Sequence, residues 1–259
     1  MLIDSLTPWT GPLLTLVAAI IWCGLFRWGG RPATAGLALP IATLLGFTLL
    51  IGVVQASPRQ LAERLPALAL GALLLAAPLA LVTQRWLAAL MTVGGALATG
   101  WWMGGGALVA ADLRAATPVM LALGLIVPLL MIESAGPWRL AGAALALAAG
   151  LFAAGSAGPW AMLGAVLAAA ALGQQLVGGA VAPASARLAG AMLLAGLLAG
   201  PVLARGAPAD WAAALAPLGL LLLAPRIAGK ARGWRALVVL FLLGGGPVLL
   251  AWALARHAG

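Results

Sequence analysis

The sequence predicts an all-α, polytopic transmembrane bundle of about ten spans, and three observations carry that prediction. Only 7% of the 259 residues are charged, where a soluble domain carries about a quarter. Mean hydropathy is +1.15. Apolar runs recur along the whole chain, separated by short Gly/Pro/Arg punctuation. Helices satisfy every backbone donor and acceptor within one segment, as lipid requires, and the ten-residue alternation of a transmembrane barrel is missing. The chain is read as a single integral membrane domain, residues 1–259.

In order, the expected spans are 8–26, 34–55, 66–84, 87–110, 117–133, 140–157, 160–181, 188–204, 211–225 and 236–255. Several lie near the lower end of the ~17–25 residues that a crossing needs, and merging two short neighbours gives eight or nine. The N-terminal "MLIDSLTPW" has no basic region of the kind that opens a cleavable leader, so the first helix is expected to stay. Between the second and third spans, "ASPRQLAERLP" (56–66) places Leu61 and Leu65 at i, i+4, which fits a short interfacial helix or a polar loop. Asp112 and Arg114 flank the turn before the fifth span, which is expected to start at Thr117 with Pro118 in its first turn. Trp9, Trp28, Trp86, Trp138, Trp160, Trp211, Trp234 and Trp252 border spans as an interfacial belt. Trp101 and Trp102, in "GWWMGGG", fall deep inside the fourth.

Charge orients the bundle. With the N-terminus outside, Arg27, Arg31, Arg85, Arg139, Arg187, Arg226, Lys230, Arg232 and Arg235 fall inside. The remaining five of the 14 basic residues fall outside, and the bias toward the cytoplasmic side places both termini in the periplasm. The chain lacks Asn and Tyr and has a single Lys, against abundant Ala, Gly and Arg, a bias expected of a GC-rich bacterial genome and an inner membrane. The net charge of +9 does not point to nucleic acid, because the basic residues sit singly at span ends. The one cluster, "RIAGKARGWR" with Arg226, Lys230, Arg232 and Arg235, reads as a topology and lipid anchor, worth about 1 kcal/mol per basic residue against anionic headgroups.

Few residues could carry chemistry. Cys23 is alone, His257 lies three residues from the C-terminus, Lys230 is in a loop, and no span holds paired carboxylates. Neither enzyme activity, a metal nor a cofactor is therefore expected. "GSAG" (155–158) is a helix-to-helix turn rather than a nucleophile elbow. Polar groups within spans are costly, which makes Gln174 and Gln175 candidates for lining a substrate path. Interhelical hydrogen bonds, typically worth under ~2 kcal/mol, are their other use. Gly244, Gly245, Gly246 and Pro247 interrupt the last span, where a broken helix would expose backbone groups to a solute. Close packing of small residues, as for Gly142, Ala146 and Gly150 at spacings of four, is the alternative. Glu133 is expected at the cytoplasmic edge, within reach of Arg139.

Internal similarity between "LLAAP" (74–78) and "LLAGP" (197–201), and between "WLAAL" (86–90) and "WAAAL" (211–215), allows a five-plus-five inverted repeat. A competing offset pairs 138–150 with 234–246. "PLLMIESAGPWRLAGAALALAAG" (128–150) resembles part of the drug/metabolite transporter superfamily through Pro128, Glu133, Trp138 and Gly142. The resemblance implies ten spans in two inverted halves. Two features depart from it: Arg226 stands where the second half would repeat the acid, and the charge-derived N-terminus lies outside. The sequence thus predicts a small-solute transporter or channel-like permease, closer to a facilitator than to a carboxylate-coupled proton carrier. Its expected lining is Trp101, Trp102, Gln174, Gln175 and 244–247. A non-catalytic membrane subunit that scaffolds or anchors a larger complex, with other membrane subunits as partners beside the lipid bilayer, is the alternative.

Overall fold

Long apolar runs leave a chain in lipid one way to pair its backbone, and each expected segment overlaps a helix. The computed structural model describes residues 9–30, 33–52, 60–81, 84–106, 108–134, 138–155, 159–179, 182–223, 226–227 and 234–257. The helices are α1 (Thr10–Trp28), α2 (Ala38–Ile51, entered through a 3-10 turn at Thr34–Leu37), α3 (Leu65–Leu81, after a 3-10 turn at Ala62–Arg64) and α4 (Arg85–Met103). There follow α5 (Ala110–Glu133), α6 (Arg139–Ala153), α7 (Trp160–Gly178), α8 (Ala184–Arg205), α9 (Pro208–Leu218, continued as a π-helix over Gly219–Leu223) and α10 (Trp234–His257). No strand occurs among the described residues. Six stretches are long and apolar enough to cross a membrane: Thr10–Trp28, Thr34–Ile51, Ala62–Leu81, Ala110–Glu133, Trp160–Gly178 and Ala184–Arg205. The architecture is consistent with a helical membrane bundle.

Helix α8 runs through the middle. Nearly every residue from Ser185 to Pro201 is buried, among α2, α3, α4, α5, α6, α7 and α9. On one flank α1 packs against α7 and α2; on the other α6 packs against α7, α9 and α10. Small residues set these distances. A Cβ at Gly173 of α7 would come within 2.7 Å of the Leu16 carbonyl oxygen on α1. One at Gly100 of α4 would meet the Met120 backbone of α5 at 2.8 Å. Of the triplet at spacing four, Gly150 makes such an approach, to Ala213 of α9, while Gly142 has open space.

Several boundaries differ from expectation. Helix α5 begins at Ala110, so Asp112 and Arg114 ride its first turns rather than a loop. Asp112 sits beside the unpaired N–H groups of that end, where a carboxylate is favourable. Pro118 is then well inside the helix instead of in its first turn. Helix α4 stops at Met103 because Gly105 and Gly106 take φ of +124° and +64°. Trp101 and Trp102 therefore occupy its last turn, half-buried, and not the depth of a span. Trp160 leaves the expected belt: it is buried, with its ring against Gly200 of α8. Residues 60–64 form a turn that leads into α3, with the Gln60 N–H donating to Glu63 Oε2 at 3.2 Å, and 56–59 lie outside the described residues.

Two glycines separate packing from backbone cost. Gly173→Val should lower stability by about 1–3 kcal/mol through overpacking against α1. Gly142→Ala, with nothing in its way, should raise it by about 0.4–1 kcal/mol. Thermal unfolding of both variants in one detergent checks the pair, and equal effects would contradict close packing at Gly173.

Candidate functional site: two polar ends and an apolar cleft

Glu133, the last residue of α5, is mostly shielded and lies between two guanidinium groups. Arg226 reaches one carboxylate oxygen at 3.1 Å and Arg139 the other at 3.6 Å. Arg139 also donates to the Glu133 backbone oxygen at 3.2 Å. The pairing with Arg139 is the one expected. Arg226 is 93 residues away in sequence and also donates to the Leu222 carbonyl at the π-helical end of α9. The cluster thus joins the ends of α5, α6 and α9. Of the other expected anchors, Lys230 and Arg232 lie outside the described residues, and Arg235 falls in α10 with only its backbone described.

At the same end Arg27 of α1 donates to the Val177 carbonyl of α7 at 2.8 Å. Beside it, Ser134, Trp138, Gln174, Gln175, Ala182 and Arg187 line a narrow crevice with water-sized room of about 20 Å³. Gln174 is 6% exposed. Gln175 faces differently, as the ~100° step between adjacent helix positions requires. Its Nε2 donates to the Gly179 oxygen at 2.8 Å and closes the end of α7, so a free substrate-facing amide is not what it provides. Trp138 enters α6 with φ of +62°, a left-handed conformation that a bulky residue adopts at a cost of about 1–3 kcal/mol.

The opposite end is organised by Arg64. Its Nη1 donates to the Trp102 carbonyl at 2.8 Å, and the Trp102 indole N–H donates to the Arg64 carbonyl at 2.8 Å. A cation is well placed at the negative, C-terminal end of α4. Trp101 stacks obliquely on Trp102, ring centres 6.0 Å apart. Both tryptophans hold this helix end in place. A cavity of about 250 Å³ opens here between Leu61, Arg64, Met103, Gly104, Val119 and Leu203. Val119 and Leu203 also line a second cavity, of about 330 Å³, which continues between α5, α8 and α9 past Ile126, Leu198, Trp211 and Leu218. Its walls are apolar throughout. Each of the three wall helices contains an internal proline: Pro118, Pro201 and Pro217. Each of these prolines removes one backbone hydrogen bond from its helix beside the cleft. Nearby, buried Asp210 accepts from Arg205 Nε at 3.0 Å and pairs with its Nη2.

The expected break at Gly244, Gly245, Gly246 and Pro247 does not occur, for α10 is continuous through it. Pro247 leaves the Leu243 carbonyl without its usual donor, and Gly219 of α9 packs against that oxygen while Leu220 packs on Gly244. The irregularity falls one helix away, in the π-helix Gly219–Leu223. The sequence-predicted lining is therefore dispersed: Trp101 and Trp102 at one end, Gln174 and Gln175 at the other, and 244–247 on the α9–α10 contact. The cleft residues have no distinguishing signal in the sequence, because Val, Leu and Ala are what any apolar helix contains.

Cleft, crevice and charged ends on an all-helical apolar bundle define a class of architecture, not an activity. No protein-family model matches the chain, and no curated protein or solved structure matches it.

The two carboxylates should differ in weight. Asp210→Ala removes hydrogen bonds from a fully buried group and should cost about 1.5–3 kcal/mol. Glu133→Ala breaks pairs to exposed arginines and should cost ~1 kcal/mol or less. Denaturation in mild detergent, read by tryptophan fluorescence, gives both values; the reverse order would overturn the assignment.

Proposed function

We propose that this chain is a small-solute carrier or permease of a bacterial inner membrane, with the α5–α8–α9 cleft as its solute path. The observation that carries the reading is the pair of adjoining cavities sharing Val119 and Leu203. They run from the Arg64 end to Ile126, and the Glu133–Arg139–Arg226 cluster stands about 10 Å further along α5. A cleft that reaches one end of the bundle, with a breakable ionic cluster toward the other, is compatible with alternating access. The apolar walls favour an uncharged or weakly amphiphilic solute. With no carboxylate in the cleft, facilitation fits better than proton coupling through a buried acid.

In this reading all ten helices span, both termini face the periplasm, and the Glu133 end is cytoplasmic. Arg27, Arg139, Arg187 and Arg226 gather at that end, in keeping with the basic bias expected inside. A five-plus-five inverted repeat draws support from α2 with α7 and α3 with α8, pairs that map onto themselves under such symmetry and do pack. The flanks fit it less well, since α6 lies against α9 and α10 while the neighbours of α1 are α2 and α7.

A scaffolding or anchoring subunit is the second reading, favoured by a groove of about 510 Å³ among Trp9, Leu145, Phe152, Met162 and Trp252. A partner's membrane helix would fit there. The readings part in experiment. On a Cys23→Ser background, Val119→Cys and Leu203→Cys should react with an impermeant maleimide from the Arg64 side only. Ala199→Trp, which fills the cleft, should cut solute flux in proteoliposomes by about tenfold. Unreactive cysteines, together with co-purification at fixed stoichiometry, would remove the carrier reading and leave the subunit.

A further inference from the structure

We propose that the crevice at the N-terminus of α8 binds a phosphate group through one of its anionic oxygens. The crevice lies at the opposite end from the mouth of the cleft, so the inference stands apart from the transport reading.

Gln174 comes first. It is 94% buried by its 6% exposure, it lines the crevice, and its side-chain amide has no hydrogen-bond partner among the described residues. An acceptor placed in the crevice would meet the donor that this amide offers. Arg187 is the second donor. Its Nε is shielded from solvent and has no partner, and its guanidinium makes no ion pair among the described residues. The third is the start of α8 itself. Pro183 caps it without a side-chain hydrogen bond, and its first turn holds no acid. The N–H groups of that turn and the positive end of the helix dipole attract an anion. Ser134 gives its proton to the Met131 carbonyl at 3.3 Å, so donation falls to the other three.

Charge at this end is in surplus. No Asp or Glu lines the crevice, and Glu133, next to Ser134, is already held by Arg139 and Arg226. Size narrows the ligand: room of about 20 Å³ takes one water-sized group. A single oxygen enters, and the remainder of the phosphate stays at the mouth beside Trp138, which is 51% exposed. The planar fork of Arg187 suits phosphate better than a point charge would. Trp138 and the helix ends place the site at interfacial depth, where both a phospholipid headgroup and a free phosphate present this chemistry.

The test uses the full chain in phosphatidylcholine nanodiscs. One arm titrates inorganic phosphate by calorimetry; the other dopes in phosphatidylglycerol and counts retained lipid by native mass spectrometry. Binding in the first arm identifies free phosphate as the source, and binding in the second alone identifies the headgroup. In whichever arm binds, Arg187→Gln and Gln174→Leu should each weaken it about tenfold. Ala182→Leu, which fills the crevice and leaves every charge, should do the same, whereas Arg256→Gln at the far end should not. No binding in either arm overturns the proposal. So does loss in Arg187→Gln with Gln174→Leu and Ala182→Leu unchanged, since that pattern belongs to diffuse surface charge.

Discussion

Close approach between small side chains decides where each helix of this bundle lies, because lipid is as apolar as leucine and removes the preference that drives soluble helices together. What remains is dispersion, which falls away over fractions of an ångström, so contact has to be near. Gly173 against Leu16, Gly100 against Met120 and Gly150 against Ala213 supply that contact at three separate interfaces. The effect is concentrated on α8, whose alternation of Ala, Gly and Leu lets seven helices reach it. Where the neighbours are small the bundle is tight. Between α5, α8 and α9, each of which carries an internal proline, the packing is looser, and the cleft opens beside the core and not through it.

This division explains what was legible beforehand. Helix existence follows from apolar run length, a property of consecutive residues, and all ten segments met a helix. Boundaries were less legible near "GWWMGGG", because glycine, alanine and tryptophan extend an apolar run without extending a helix. The positive φ of Gly105 and Gly106 ends α4 seven residues short of the expected edge, and that shift moved Trp101 and Trp102 from the interior to a helix end. Pro247 misled in the opposite sense. Its missing donor is real, yet Gly219 of a neighbouring helix shields the orphaned carbonyl, and α10 stays whole.

The polar sites divide in the same way. Glu133 and Arg139 are six residues apart, and their pairing could be read from the turn between them. Arg226 joins them across 93 residues, a contact that charge spacing cannot reveal. Gln174 was visible as a polar residue in an apolar span, but its companions Arg187 and Ser134 come from other helices and carried no mark beyond a topology charge and a small hydroxyl.

The two charged clusters differ in a way that bears on how such a bundle could move. Asp210 is wholly buried and held by Arg205 five residues before it, so that end of α8 and α9 acts as a fixed corner. Glu133 is held by arginines that remain exposed, and each pair is worth ~1 kcal/mol or less, little enough to break and reform. Between the two lies α9, whose Leu218 faces the cleft and whose π-helix runs from Gly219 to Leu223. Arg226 grips that segment through the Leu222 carbonyl and Glu133 through its carboxylate. A π-helix is an uncommon geometry whose hydrogen-bond ladder differs from that of an α-helix by one residue. In the carrier reading, a solute pressing on Leu218 acts directly on this ladder, and the ladder on the arginine that closes the other end. Coupling of cleft to latch then needs one short segment of α9 to change, with Asp210 as its anchor and α8 at rest.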